Sequence, residues 1–446
     1  MPRSSAVEMR TSDVAAATGG RLVGPDVTVR GAAIDSRLVT GGELFVPVVA
    51  ARDGHDFVLA AVDAGAAAYL SSRPVDEASA KASVVEVEDT SVALTDLGRH
   101  ARALLDEGVD GRVVGITGSV GKTSVKDLAH VALAARWRTA ASAGSFNNEL
   151  GVPLTLLGAP GDAGALVIEM GSRGAGHVAD LCRVARPTVG VVTRIAAVHT
   201  ATFGSLDDVA AAKGELVEAL PATGTAVLSA ADARVAAMAS RTEARVLTFA
   251  AAGDVRAEEV RLDGELRPSF RVMTPWGRAD VRLAVRGEHM VDNALAAMAA
   301  ALACDVPLGD IAAALATADL SRWRMDLVTL PSGARLLNDA YNANPASMAA
   351  ALRALAELRA ARRVAVLGIM AELGPTSEAE HRAVGELARE LGIEVVAVGT
   401  PAYGGTVVDD VDSAAAAVGE LGAGDAVLLK GSRVVGLERL ADLLAG

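Results

Sequence analysis

The stretch GITGSVGKTSVKDL, Gly115 to Leu128, decides the fold. It follows the apolar run VV and leads into a helical pattern, so it reads as a strand, a glycine-rich turn and a helix in immediate succession. Glycines at 118 and 121 let backbone N–H groups turn toward a phosphate, and the helix N-terminus adds its positive end. Lys122 can reach the terminal phosphates, and the Thr123 hydroxyl can ligate Mg²⁺. A strict G-x-x-x-x-G-K-[ST] pattern fails here, because Ile116 stands five residues before Gly121. The loop therefore predicts nucleotide phosphate binding of a variant kind, with Gly118, Ser119, Gly121, Lys122, Thr123 and Ser124 around the phosphates.

Outward from the loop, apolar runs ending in polar residues repeat: ALVIEMG, PTVGVVTRI and GTAVLSAAD. Buried strands alternating with helices predict a mostly parallel sheet covered on both faces. ALVIEMGS puts Glu169 at the end of such a strand, where a carboxylate beside a phosphate loop can anchor Mg²⁺. The alanine-rich segment from Asn293 predicts two helices broken at Val306 and Pro307. Before the loop, residues 1 to about 108 form a small α/β pattern: a helix between TSD and TGG, short strands, the helix DFVLAAVDAGA and the run SVVEVED. After ADLSRWRM, the runs RRVAVLG, IEVVAVG and DAVLLKG recur about every thirty residues, the spacing of βαβ crossovers. No G-x-G-x-x-G accompanies them.

Composition narrows the function. At 446 residues the chain is expected to hold two to four domains. Its net charge of −13 disfavours nucleic acid, which needs a basic footprint. Cys182 and Cys304 lie far apart in apolar sequence, as expected of reduced core thiols rather than a disulfide or a zinc site. The N-terminus MPRSSAVEMRTSD lacks a signal-peptide apolar region, and the longest uncharged stretch, Val395 to Val408, is shorter than a membrane span. A soluble cytoplasmic protein without membrane insertion is expected. No [NT]-K-x-D occurs, which argues against a guanine-reading switch protein.

Further polar residues stand out. AAVHTATFGSLDDVAAAKGEL contains His199 and Lys213, which position alone leaves open between structural and functional roles. SFNNELGVP places Asn147 and Asn148 in a loop before a strand-like run. LLNDAYNANP places Asp339, Tyr341, Asn342 and Asn344 after a strand, and IDSR supplies Asp35, Ser36 and Arg37. These residue types also favour loops for their own backbone hydrogen bonds.

Taken in order, these segments resemble the Mur ligases, the ATP-dependent amide-forming enzymes of peptidoglycan synthesis. The variant loop TGSVGKTS is similar to the form shared by Mur and folylpolyglutamate ligases. NDAYNANPASM, GIMAELG, SFNNELGVP, FGSLDDVAAAKGEL, GEHMVDNALAA and LLKGSR follow the order of the branch that adds D-alanyl-D-alanine, as do AIDSR, GELFVPV and DGHDFV near the N-terminus. The resemblance spans the chain, and DAYNANP is its most specific motif.

It implies an α/β, three-domain architecture: residues 1–108 as a UDP-substrate-binding domain, 109–320 as a central P-loop ATP-binding domain with a parallel sheet, and 321–446 as a Rossmann-like domain. The implied reaction joins D-Ala-D-Ala to UDP-MurNAc-tripeptide through an acyl phosphate, at the expense of ATP and with two Mg²⁺ ions, in a monomer serving cell-wall biogenesis and hence cell shape and division. It further implies Lys122, Lys213, His199 and Arg324 as catalytic residues. Thr123, Glu169, His199 and Lys213 would make up the metal site, with Lys213 as a carbamate. Such a carbamate requires burial to deprotonate the amine. Asn293 would lie near adenine, Arg324 near the γ-phosphate, and Asp339 and Tyr341 around ribose and base. Asp35, Ser36 and Arg37 would meet the uridine diphosphate, and Asn147, Asn148, Asn342 and Asn344 the rest of the substrate. Val120 and Arg194 depart from the family's usual residues. A MurE-like ligase, a paralogue with another amine, or a folylpolyglutamate-synthase-like ligase would share the loop.

Overall fold

The computed structural model describes residues 6–74, 78, 81–144, 146–196, 203–371 and 373–445. The strand Val113–Thr117 is the middle of a six-stranded sheet. The order across the sheet is Arg245–Phe249, Thr225–Ser229, Val189–Val192, Val113–Thr117, Ala165–Glu169 and Thr139–Ala141, with every neighbouring pair parallel. Alternate residues of these strands enter different cores. Val114, Ile116 and Val167 pack under the helices Lys122–Ala134 and Met290–Ala303, whereas Val113, Leu166 and Ile168 pack on the opposite face. Two buried faces explain why these strands read as continuous apolar runs. The chain lays Thr139–Ala141 and Ala165–Glu169 on one side of Val113–Thr117, then crosses to Val189–Val192 on the other. That reversal opens a crevice at the strands' C-terminal ends, where ligands bind in open α/β sheets.

The N-terminal part holds a five-stranded mixed sheet in the order Arg21–Val23, Ser83–Glu86, Ala68–Ser71, Leu44–Phe45 and Ala32–Ala33. Its first helix, Thr11–Thr18, ends at Gly19 with φ +63°, the left-handed stop that TGG foretells. The helix Thr90–Leu104 forms the seam with the central sheet. Asp89 caps it, and a Cβ on its Gly98 would lie 2.8 Å from Pro153 Cβ, so only glycine permits this close crossing.

The last part holds a second six-stranded sheet, in the order Asp326–Thr329, Arg335–Asn338, Asp425–Lys430, Arg362–Gly368, Glu394–Val398 and Thr406–Val408. All pairs are parallel except the first.

Two features differ from, or add to, the sequence expectation. The run after Asn148 is the helix Gly151–Leu157 and not strand-like. Every residue of it is buried, which removes the period that separates helix from strand, and its first amide, Gly151 N, donates to Asn148 Oδ1 at 2.9 Å. A three-stranded antiparallel sheet, Arg256–Leu262, Pro268–Thr274 and Gly277–Arg282, precedes the alanine-rich helices, where the sequence analysis assigns no element. Those helices form as expected, Met290–Ala303 and Leu308–Leu315, with the break at Val306 and Pro307.

Candidate active site

A cavity of about 910 Å³ lies between the C-terminal ends of the central strands and the C-terminal sheet. The loop from Gly118 to Ser124 forms its floor. The loop's shape follows from its glycines. Gly118 has φ +142° and Gly121 φ +88°, and Cβ atoms there would lie 1.9 Å from Thr193 Oγ1 and 2.6 Å from Asn293 Oδ1. The strand exit beside it holds the loop in place: Ser119 N donates to Arg194 O at 2.7 Å, and Thr193 Oγ1 donates to Val120 O at 2.7 Å. Val120 thus serves this brace through its carbonyl, which any residue supplies. Lys122 opens the helix Lys122–Ala134 and donates to Gly118 O at 2.8 Å, folded back over the turn.

Glu169 ends its strand 1% exposed. Its Oε1 accepts from Asn147 Nδ2 at 2.8 Å, and its buried Oε2 has no hydrogen-bond partner. A buried carboxylate oxygen left open costs free energy unless a ligand completes it. With the buried Thr123 hydroxyl it supplies hard oxygen donors suited to Mg²⁺, which takes its remaining ligands from water and phosphate. The residues present therefore fit such an ion, although no cluster of three or more His, Cys, Asp or Glu occurs among the described residues. His199, expected as a ligand, lies outside the described residues.

Lys213 is 2% exposed on the helix Leu206–Glu218, and its Nζ donates to Ser172 Oγ at 3.0 Å. Burial first, and the nearby Lys122 second, lower its pKa to about 7, with Glu215 opposing the shift. Near neutral pH a substantial share of this amine is uncharged, the condition its carbamylation requires.

The C-terminal sheet supplies the opposite wall, where Arg324, Asp339, Tyr341, Asn342, Asn344 and Lys430 line the cavity. The Arg324 guanidinium lies 4.2 Å over the Tyr341 ring, and its buried Nε has no hydrogen-bond partner. Asp339 accepts from Lys430 Nζ at 2.5 Å and from Met325 N at 3.2 Å. Asn344 accepts from Ser347 N at 2.9 Å as the cap of the helix Pro345–Glu357, so its side-chain oxygen already has a structural partner.

One cavity thus gathers Gly118 to Ser124, Asn147, Asn148, Glu169, Lys213, Asn293, Arg324, Asp339, Tyr341, Asn342 and Asn344. Asp35, Ser36 and Arg37 are not among its lining. They sit on a short turn, Arg37 exposed and Asp35 and Ser36 half-buried, where Asp35 Oδ1 accepts from Arg37 N at 3.0 Å and the Arg37 side chain pairs with Asp35. Sequence reasoning passed over much of the lining, including Ser172, Asp232 and Lys430. Asp232 Oδ2 accepts from Ile195 N at 2.8 Å, bracing the strand exit beside the loop. A lysine ending the buried strand DAVLLK was the available signal for Lys430.

Known proteins resemble this chain over nearly its whole length. Residues 116–301 match the Mur ligase middle domain, and residues 323–433 match the Mur ligase, glutamate ligase domain. The UDP-N-acetylmuramoyl-tripeptide–D-alanyl-D-alanine ligase of Mycobacterium tuberculosis is 39% identical, over 98% of each chain. The enzyme of that name from Escherichia coli K12 is 37% identical, over 86% of this chain and 84% of its own. A crystal structure of MurF from Acinetobacter baumannii superposes with a TM-score of 0.89 at 29% identity, covering 99% of both chains. MurF from Thermotoga maritima, solved in complex with ADP, gives 0.79 at 26% identity over 93% of this chain and 97% of its own. The chain belongs to the Mur ligase family and has its three-domain architecture.

Proposed function

We propose that this chain is the ATP-dependent ligase that joins D-alanyl-D-alanine to UDP-N-acetylmuramoyl-tripeptide in peptidoglycan precursor synthesis. The observation that carries the catalytic part is the unpartnered Glu169 Oε2 in the same cavity as the phosphate loop and the neutralisable Lys213. The substrates follow from the relatives, which carry that activity in their names and match this chain over most of its length.

A carboxylate does not react with an amine at a useful rate. The tripeptide's terminal carboxylate oxygen therefore attacks the γ-phosphorus of ATP, giving an acyl phosphate and ADP. The D-alanyl-D-alanine amine, having lost its proton, attacks the acyl carbon, and phosphate leaves with the C–O bond's electron pair. In this reading the loop amides and Lys122 hold the phosphates, and Arg324 faces the γ-phosphate with a guanidinium that the Tyr341 ring orients. Thr123, Glu169, His199 and a carbamylated Lys213 would hold two Mg²⁺ ions. Bound there, the ions would offset the negative charge that develops on the transferred phosphoryl group. Asn293, beside Gly121, would meet the nucleoside, with Asp339 and Tyr341 near ribose and base. Asn147, Asn148 and Asn342 would line the peptide's path, and Asp35, Ser36 and Arg37 would take the uridine diphosphate end. Asn344 fits this path less directly, because its oxygen caps a helix.

The reading divides the chain into 1–108, 109–320 and 321–446 and has it act as a monomer in the cytoplasm, where ATP and the UDP-linked precursor are found. Among the described residues no helix is long and apolar enough to cross a membrane. The test is ATP-dependent phosphate release with mass-spectrometric product detection. Release that needs both the tripeptide nucleotide and D-Ala-D-Ala, and yields the pentapeptide nucleotide, supports the reading. Release with another amine and none with D-Ala-D-Ala would assign the chain to a paralogous activity.

A further inference from the structure

The segment that presents Arg324 is held at every second amide by a different carboxylate. Ser321 N donates to Asp127 Oδ2 at 2.8 Å, Trp323 N to Asp326 Oδ2 at 2.6 Å and Met325 N to Asp339 Oδ1 at 3.2 Å. The three acids come from three places. Asp127 lies on the helix that starts at the phosphate loop, Asp326 opens the strand that follows, and Asp339 directly follows the strand Arg335–Asn338 of the C-terminal sheet. Trp323 and Met325, on either side of Arg324, are left-handed, with φ +62° and +56°. Side chains of this size adopt that conformation at a cost of ~1 kcal/mol or more each, and keep it only where surrounding contacts enforce it. The aim of Arg324 is therefore imposed by its anchors and not by local preference.

Of the three anchors, Asp127 alone ties the segment to the helix of the phosphate loop. Its Oδ1 lies 2.5 Å from Lys126 Nζ, and the two side chains are 12% and 4% exposed. Lys126 Nζ also donates to Ser142 O at 3.1 Å, and Ser142 Oγ accepts from Glu169 N at 3.2 Å. A continuous set of polar contacts thus runs from the Glu169 backbone through Ser142, Lys126 and Asp127 to the segment carrying Arg324.

We propose that Asp127 is a positioning residue for Arg324: through Ser321 it registers the Arg324 segment against the helix of the phosphate loop. Asp127 touches no reacting atom, and the proposal rests on the reading of Arg324 as a γ-phosphate contact. A purely structural role, as counter-ion of Lys126, would be independent of Arg324.

A double-mutant cycle separates the two roles. Asp127→Asn, Arg324→Ala and the double variant are compared in kcat for ligation and in KM for ATP, with thermal melting as the check on folding. Asp127→Asn is expected to lower kcat about tenfold in the native background and less than about twofold in the Arg324→Ala background, because the residue it positions is then gone. An equal loss in both backgrounds, or no loss in the native one, overturns the proposal. If Arg324→Ala alone keeps full kcat, the reading of Arg324 fails first, and the inference falls with it. The native enzyme supplies a second measurement that no folding defect can confuse. Hydrogen exchange across 320–326 should be slower than in the exposed turn 161–162, and exchange as fast as in that turn would likewise overturn the proposal.

Discussion

Two lysines are buried in the walls of one cavity, each 2% exposed, and their surroundings differ in kind. On the central side, Lys213 has a neutral hydroxyl, Ser172 Oγ, as its hydrogen-bond partner, and burial with the nearby Lys122 pushes its pKa down to about 7. On the C-terminal side, Lys430 meets Asp339 Oδ2 at 2.5 Å and Asn342 O at 3.0 Å, so an acid answers its charge within the protein. Burial alone therefore does not decide what a charged group does; the partner does. The central wall leaves an amine and a carboxylate oxygen, Glu169 Oε2, incompletely matched and ready for a ligand, whereas the C-terminal wall pairs its buried lysine with an acid of its own.

The largest expected effect tests whether the central wall carries the chemistry. Lys122→Ala should lower ATP-dependent phosphate release by roughly 100-fold or more if, as proposed, it removes a cation from the transferred phosphate. Phosphate release at the native rate would place the chemistry elsewhere. Lys213→Ala should also be inactive, and a small carboxylate such as formate should partly restore it by standing in for the carbamate. Activity without rescue would remove Lys213 from the mechanism. For the native enzyme, the neutral fraction of Lys213 grows as pH rises through about 7, so phosphate release should increase from pH 6 to pH 8.

The same contrast predicts stability changes of opposite sign. The folded pKa of Lys213 lies below its unfolded value, so the unfolded chain binds more protons between about pH 7 and 10.5. The destabilisation is thus full below pH 7 and fades as pH climbs toward 10.5. Lys213→Met should raise the melting temperature, by more at pH 6 than at pH 9. Lys430→Met should instead destabilise by about 3 kcal/mol at pH 7, because it strands the Asp339 carboxylate, only 15% exposed, without its cation. Thermal melts of both variants across pH would break the comparison if the two shifted in the same direction.

The two walls were unequally legible in the sequence. The phosphate loop, Glu169 and the parallel strands could be read because their signals are local: glycine spacing, a Lys-Thr pair, and a carboxylate closing an apolar run. The helix Gly151–Leu157 was misread because burial on all sides erased its period. Lys430 and Asp127 escaped notice because their meaning comes from partners 91 and 194 residues away, Asp339 and Ser321, which no local pattern signals. Asn344 stood out by residue type, yet its side chain serves the backbone, the competing use that such residues always have.

The smallest effect is expected outside the cavity altogether. Asp35 lies on a short surface turn, where the Arg37 side chain and then the Arg37 backbone N–H hold its carboxyl at a pKa of about 2. It therefore stays charged throughout the working range of pH and has no proton to give or take. If this turn only grips the uridine diphosphate end, its interaction is the same in the ground and transition states. Asp35→Ala should then raise KM for the tripeptide nucleotide by about tenfold, with kcat unchanged within about twofold. KM for ATP should not move. An equal fall in kcat would instead mean that the grip at this turn contributes to aligning the distant carboxylate, and the division between a reactive cavity and a remote anchor would have to be redrawn.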